Sequence, residues 1–466
     1  MNLTELLDNS AARWPEKPAF IEGDEITTYH ALAARAQVVA NALGAHSIKP
    51  GSRVGVYFPN STASVVLTFA LWRLRVVVVP LATECADAEI RNIIESLELC
   101  ATVGSAPRVG AMEVASDCHL ELLPTTEAAD NHGLDIAFIR FTSGTTAARK
   151  GVVLTHGTIR DRIAAANKGL QITDADTVIW CLPMAHHFLV TIVLYIANGA
   201  TTVLARHVLA EPFLQAIRRW RGTVLYAAPF HYAMLAQHRG DERIDSVRLA
   251  VATTCALAPD VAAAFVQRFG RRLSPALGII EAGLVCLNRE PDPHEAHSVG
   301  RPLPDFDVRV LAPDADGCGD IALRGPGICD AYVAPWTTRA GFAPDGWFVT
   351  GDIGRVDESG RVFLLSRKTA VINLAGRKVF PEEIEAVLNE HPAVIESRAF
   401  ARAHPHLGEV LEAELVLNTA EDLLGGILAH CRERLAAYKI PARFHIVSQL
   451  PRTAVTGKIR RAPAPV

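Results

Sequence analysis

Apolar and polar positions alternate along the first half of the chain in a repeating βα rhythm. The run "RVGVYF" (Arg53 to Phe58) is a short apolar strand. It is followed by "NSTASVVLTFALWRL", where Asn60 and Ser61 can cap a helix that is apolar nearly all round, and then by "VVVVPL", a strand buried on both faces. The same order recurs around "TVIWCLPM", "TTVLA", "GTVLYAAP" and "VRLAVATT". Such alternation predicts layered parallel sheets covered by helices, with binding sites at the carboxyl ends of the strands. Beyond about residue 285 the pattern changes to short strands and turns, "FDVRVLAPDADG", "DIALRGPG" and "GWFVTGDIGRVDESGRVFLLSR", which predict a β-rich subdomain. The last hundred or so residues read as strand, turn, a helix with Pro381 and acids in its first turn, and a strand. "EVLEAELVL", a helix from about Glu421 to Ala436 and "ARFHIVS" follow. The expected fold class is α/β, with a large N-terminal domain over 1–366 and a small α+β C-terminal domain over 367–466, joined between Ser366 and Ala370.

Composition narrows the function classes. A length of 466 residues calls for more than one core, and 50% hydrophobic with 21% charged residues fits a well-packed globular protein. A formal net charge of −4 and the lack of a Lys/Arg cluster give no field to recruit nucleic acid. Nine cysteines without a C-x-x-C pair point to reduced thiols rather than disulfides or cysteine-bound metal. The acid-containing start "MNLTELLDNSAARWPEK" is unlike a secretory signal, and no apolar run reaches the ~18 residues of a membrane span. A cytoplasmic location is expected.

The most informative local stretch is "FIRFTSGTTAARKGVVLTH" (Phe138 to His156). Thr142, Ser143, Gly144, Thr145 and Thr146 place hydroxyls and a glycine between two strand-like runs, and Lys150 adds a mobile charge. Hydroxyl and backbone N–H donors around one point can surround a polyphosphate. The common phosphate loop opens a helix after G-K-[ST], whereas here Lys150 leads into a strand. On its own the segment reads either as a strand–loop–strand anion cradle or as a polar hairpin turn.

Three further motifs in order, "WFVTGDIGRVDESG", "LSRKTAVINLAGRKVFPEEIE" and "PRTAVTGKIRR", join that loop in a pattern that resembles the adenylate-forming acyl-CoA synthetase superfamily over nearly the whole chain. The superfamily includes acyl- and aryl-CoA ligases, peptide-synthetase adenylation domains and luciferases. The resemblance implies an ATP-dependent ligase that turns a small carboxylic acid into an acyl-adenylate and then into a thioester of coenzyme A or of the phosphopantetheine arm of a separate carrier protein. It implies that Thr142 to Thr146 and Lys150 hold the triphosphate, that Glu281 and Thr145 serve Mg²⁺, and that Leu277 and Gly278 face the nucleotide. Asp352 would serve the ribose and Arg367 the ribose and phosphate, and Lys458, brought by a small mobile domain hinged at Ala370, would serve the reacting carboxylate and α-phosphate. His186 would be the gate beside the carboxylate. His187, Phe188, Thr253, Thr254, Cys255 and Ile279 would line the acyl pocket. Read singly, Asp352 is also an ordinary turn residue, Lys458 a solvated tail residue and His187 a satisfied core histidine.

The departures carry information too. Ile280 offers no hydroxyl where the superfamily usually has Thr, and Thr253 and Thr254 stand where a glycine pair is usual. Bulk at Thr253, Thr254 and Ile279 favours a compact aryl or short-to-medium acyl acid. No acid follows His186 or His187 to pair with an α-ammonium, which disfavours amino acids. Other readings of the same motifs are a catalytically impaired nucleotide or acyl-adenylate binder, a stand-alone fatty acyl-AMP ligase, and an oxygenase acting on the adenylate. An unrelated kinase is the least favoured reading, because the phosphate-loop and kinase catalytic motifs are absent.

Overall fold

The computed structural model describes residues 2–46, 48–81, 83, 87–105, 111–115, 118–124, 129–141, 151–205, 209–289, 298–368, 372–374, 377–404, 408–418, 423–435, 437–452 and 459. The chain divides into two compact units, one of Met1–Val308 with Leu323–Phe348, the other of Arg309–Ala322 with Val349–Val466. Among the described residues no helix is long and apolar enough to cross a membrane, and the cysteines are free.

The first unit holds two large sheets. In one, the strands Pro18–Glu22, Thr201–Leu204, Thr177–Trp180, Val224–Ala227, Leu249–Ala252 and Ser274–Ile279 lie side by side and parallel. The last turns back in a hairpin with Gly283–Leu287. The other sheet is nine-stranded and carries Arg53–Tyr57, Val77–Pro80 and Ala101–Gly104 in parallel beside Ile136–Phe141. These are the expected βαβ layers, formed because short β-branched runs alternate with capped helices. Ser61 caps the helix Thr62–Arg73 by accepting from the Ser64 N–H at 3.2 Å. That helix is buried almost throughout, as its all-round apolar sequence requires.

Trp72 at the end of that helix ties three elements together. Its indole N–H donates to the Ala137 carbonyl at 2.9 Å, its carbonyl accepts from Asn2 at 2.7 Å, and its ring meets His156 edge-on at 5.9 Å. His156 begins the helix His156–Leu170, for which Thr155 is the cap. The strands Ile136–Phe141 and Gly151–Thr155 are therefore anchored at the ends remote from the loop they enclose. They pair antiparallel as far as Phe141 opposite Gly151.

The second unit contains the hairpin Phe348–Val356 with Val362–Arg367, in which Asp352 lies opposite Arg367. It also holds a three-stranded sheet of Val394–His404, Gly408–Leu417 and Arg443–Ile446. The helices Pro381–Asn389 and Leu424–Arg434 pack Ile384, Leu388 and Ile427 against Leu411 and Leu415 of that sheet. Pro381 takes the first helical position, where its missing N–H costs nothing. The helix expected from Glu421 to Ala436 spans Leu424–Arg434, with residues 421, 422 and 436 outside the described ones.

His156 makes stability depend on pH. It is 2% exposed, and its Nδ1 accepts the Leu3 N–H at 3.2 Å. Burial pushes its pKa down from 6.5 to about 4, with Asp135 opposing. The unfolded chain takes up a proton near pH 6.5 that the folded chain refuses, so stability is full above that pH and falls as pH drops toward 4, by on the order of 3 kcal/mol. Urea unfolding of the wild-type chain and of His156→Asn, at pH 7 and pH 5, checks this. The wild type should lose more stability than the variant between the two pH values, and equal losses would remove His156 as the cause.

Candidate functional site

The centre of the first unit's site is the turn of the hairpin Ser274–Ile279/Gly283–Leu287, which carries Ile280, Glu281 and Ala282. Arg162, on the helix His156–Leu170, reaches this turn from behind. Its Nη1 donates to the Ile280 carbonyl at 2.8 Å, its Nη2 to the Glu281 carbonyl at 2.5 Å and its Nε to the Gly327 carbonyl at 2.5 Å. The Cys329 N–H also donates to the Glu281 carbonyl, at 2.7 Å. Arg162 is only 3% exposed, and burial lowers its pKa to about 10, so it stays charged at neutral pH.

Two glycines make room for this clasp. Gly327 has φ +78°, and a Cβ there would collide with Arg162. Gly283 has φ +82°, and a Cβ there would lie 3.3 Å from Arg162 Cδ. With its backbone held, Glu281 presents a carboxylate whose Oε1 accepts from the Tyr332 hydroxyl at 3.3 Å. Leu277 is buried at the start of the hairpin, Gly278 is exposed and Ile279 is half-buried.

The strand Ile136–Phe141 brings Arg140 to the mouth of the loop. One of its Nη atoms donates to the His186 carbonyl and the other lies 3.1 Å from His186 Nδ1. Burial lowers the Arg140 pKa to about 10, with Glu281 opposing and Arg162 adding to the shift. His186 and His187 belong to the one-turn helix Met184–His187. His187 is half-buried and edge-on to Trp180 at 6.1 Å, while Tyr226 stacks on the same indole at 5.9 Å. Phe188 is turned to Trp72 at 6.1 Å, within the core.

Thr253, Thr254 and Cys255 follow the strand Leu249–Ala252. Thr253 is 5% exposed, with its N–H donating to the Ala227 carbonyl at 3.1 Å. Thr254 has φ +79°. A β-branched residue in that region is a conformational outlier, and glycine would adopt it without strain. Cys255 is exposed.

In the second unit, Asp352 and Arg367 form an ion pair across the hairpin at 2.7 Å, with side-chain exposures of 8% and 57%. The Asp352 N–H donates to Thr350 Oγ1 at 3.0 Å, and Arg367 also donates to the Thr350 carbonyl at 3.2 Å. Thr350 Oγ1 in turn donates to the Ile321 carbonyl at 3.0 Å. The two residues expected separately at a ribose are thus one charge-paired unit. Arg452 pairs with Glu396, and Arg452 and Ile459 are bridged antiparallel. Thr142, Ser143, Gly144, Thr145, Thr146, Lys150, Ala370 and Lys458 themselves lie outside the described residues.

Sequence reading missed Arg162, Arg140 and Tyr332. Arg140 left a signal, a lone charge inside the apolar run "IAFIRF". Arg162 left none, because "TIRDRIAAANK" reads as a solvated helix face. A metal ion fits at Glu281 in one way. Among the described residues no cluster of three or more ligating side chains exists, but a single carboxylate on a fixed backbone, completed by phosphate oxygens, is the usual setting for Mg²⁺.

Comparison with known proteins gives the family. Residues 7–333 match the family model of the AMP-binding enzyme, and residues 383–458 that of the AMP-binding enzyme C-terminal domain. The chain is 30% identical to a sulfoacetate–CoA ligase of Cupriavidus necator, over 98% of this chain and 96% of that one. It is 29% identical to an oxalate–CoA ligase of Arabidopsis thaliana, over 98% and 97%. The solved structure of o-succinylbenzoate CoA synthetase from Bacillus subtilis, in complex with its acyl-adenylate intermediate, superposes with a TM-score of 0.86 at 26% identity, over 97% of this chain and 96% of that one. The chain therefore belongs to the AMP-binding enzyme family, within the adenylate-forming acyl-CoA synthetase superfamily, and is an AMP-forming acid–thiol ligase.

Proposed function

We propose that this ligase activates a compact carboxylic acid, aryl or short-to-medium acyl, and passes it to coenzyme A. The observation that carries the reading is the Glu281 turn, whose backbone Arg162 holds through the Ile280 and Glu281 carbonyls. A carboxylate fixed in this way suits an ion that must sit between phosphate oxygens. In the first step the acid's oxygen forms a bond to the α-phosphorus of ATP as the bond to pyrophosphate breaks. Both reactants are anionic, so fixed cations and donors must meet the charge that gathers in the transition state.

On this reading Thr142 to Thr146 and Lys150 hold the triphosphate, and Leu277 and Gly278 face the nucleotide. Asp352 accepts from the ribose hydroxyls, while Arg367 pairs with it across the hairpin. Glu281, with Thr145, would hold Mg²⁺, which would supply charge neutralisation at the phosphates. His186 donates to the carboxylate, and Lys458, delivered by the domain from 367 onward as it turns about Ala370, offsets the repulsion between carboxylate and α-phosphate. The thiol sulfur of coenzyme A then attacks the acyl carbon and AMP leaves.

The pocket residues His187, Thr253, Thr254, Cys255 and Ile279 support a small acid. His187 against Trp180 and the bulk at Thr253 and Thr254 leave less room than glycines would. Phe188 serves the pocket from behind, through its packing on Trp72. That relatives are ligases of sulfoacetate and oxalate agrees with a short acid. A second reading, a weakened adenylate binder, rests on Ile280, whose side chain offers no hydroxyl to a phosphate.

Carboxylate-dependent pyrophosphate exchange over a panel of aryl and acyl acids, followed by thioester assays with coenzyme A and with a carrier-bound pantetheine, tests the reading. Exchange with at least one compact acid is expected, and nucleotide binding without exchange would favour the second reading. Lys458→Ala should lose adenylation by about 10²-fold or more, the range seen when a transition-state charge partner is removed. It should still transfer the acyl group from ready-made adenylate, and equal loss of both steps would contradict the separated roles. Thr254→Gly should raise thermal stability by about 1 kcal/mol, since relief of backbone strain outweighs added chain entropy. It should also shift the exchange ranking toward larger acids, whereas an unchanged ranking would place Thr254 outside the acyl pocket.

A further inference from the structure

We propose that Arg140 is a positioning residue that fixes His186 as the neutral tautomer with its proton on Nε2. This rests on the reading of His186 as the donor to the substrate carboxylate. The argument begins with what an arginine can do. A guanidinium carries only N–H donors and no acceptor. Its Nη2 lies 3.1 Å from His186 Nδ1, and its Nη1 donates to the carbonyl oxygen of the same residue. Nδ1 must therefore hold a lone pair toward Arg140, which leaves the ring proton on Nε2, a buried atom.

The second contact makes the first one specific. Because one guanidinium grips both the backbone and the ring of His186, it fixes the ring's rotation as well as its proton. Arg140 is held in turn by its strand, where it lies opposite Val152 just before the loop. Among the described residues its Nε is buried with no hydrogen-bond partner, and there its hydrogen bonds go to His186. An imidazolium would bring an Nδ1–H donor against an N–H donor of the guanidinium and place two cations about 3 Å apart, a strongly unfavourable pairing.

The chemistry gains from this. The nucleophile is a carboxylate, and a full positive charge on His186 would stabilise the ground-state anion as strongly as anything later. A neutral Nε2–H orients one carboxylate oxygen with less loss of reactivity, so more of the interaction is available as the transition state forms. Arg140 thus supplies orientation and a proton position without touching substrate.

The test is ¹⁵N–¹H long-range NMR on the full chain labelled at histidine, with the His186 signals identified by their absence in His186→Asn. The wild-type chain at neutral pH should show His186 with Nε2 protonated and Nδ1 unprotonated. Arg140→Met should replace this with a mixture of both tautomers and slow carboxylate-dependent exchange by tenfold or more at saturating ATP. Arg140→Lys, which keeps one donor, should retain the Nε2–H pattern, and it serves as the comparison if Arg140→Met fails to fold. Protonation of Nδ1 in the wild type, or an unaltered Nε2–H signal in Arg140→Met, would overturn the proposal. If the tautomer behaves as stated while His186→Asn exchanges pyrophosphate like the wild type, the lock stands and only the carboxylate role of His186 falls.

Discussion

The site of the first unit depends on one buried cation. Arg162 is withdrawn from water and spends its three kinds of N–H on the carbonyls of Ile280, Glu281 and Gly327. Burying a guanidinium is costly unless its donors are satisfied. Conversely, removing it takes the donor from the carbonyls of Ile280 and Gly327 at roughly 1–3 kcal/mol each, while the Glu281 carbonyl keeps the Cys329 N–H. The turn and the segment after Gly327 are therefore bound to a helix that neither belongs to. Glycine at 283 and 327 follows from the same constraint, since side chains there would meet the arginine. Cys329, whose N–H bonds to the Glu281 carbonyl, and Tyr332, whose hydroxyl bonds to its carboxylate, complete the hold.

This arrangement separates rigidity from function. The carboxylate of Glu281 keeps an oxygen for other work because Arg162 acts on the backbone rather than on the acid. An arginine paired to the carboxylate itself would compete with a metal ion for the same oxygens. Asp352 is handled differently. It is paired directly to Arg367, and the exposure of that arginine limits the worth of the pair. One acid is oriented through its main chain and the other through its side chain, which suits a metal site and a hydroxyl-binding site respectively.

Much of the layout was legible in the sequence because it follows from local rules. Apolar runs such as Val77–Pro80, the Ser61 cap and Pro381 at a helix start are decided within a few residues, and the structure has them where expected. The strand–loop–strand frame was legible for the same reason, since Lys150 is followed by β-branched residues. The clasp was not legible. Arg162 and Ile280 are far apart in sequence, and nothing in an amphipathic helix distinguishes an arginine that faces water from one that faces carbonyls. Arg140 was half legible, because a charge in an apolar strand must find a partner, but which partner it finds is a tertiary fact. The ion pair between Asp352 and Arg367 needed the hairpin register. Thr254 was noted as a departure from glycine, but its positive φ required the backbone.

The central claim is that Glu281, held by Arg162, is the carboxylate that receives the metal of the nucleotide. Electron paramagnetic resonance of Mn²⁺ with ATP, titrated into the wild-type chain and into Glu281→Gln and Arg162→Met, tests it most directly. Both substitutions should weaken Mn²⁺–ATP binding by tenfold or more, Glu281→Gln by loss of the ligand and Arg162→Met by loss of its orientation, with the thermal stability of Glu281→Gln near that of the wild type. Wild-type Mn²⁺ spectra and affinity in Glu281→Gln would contradict the claim.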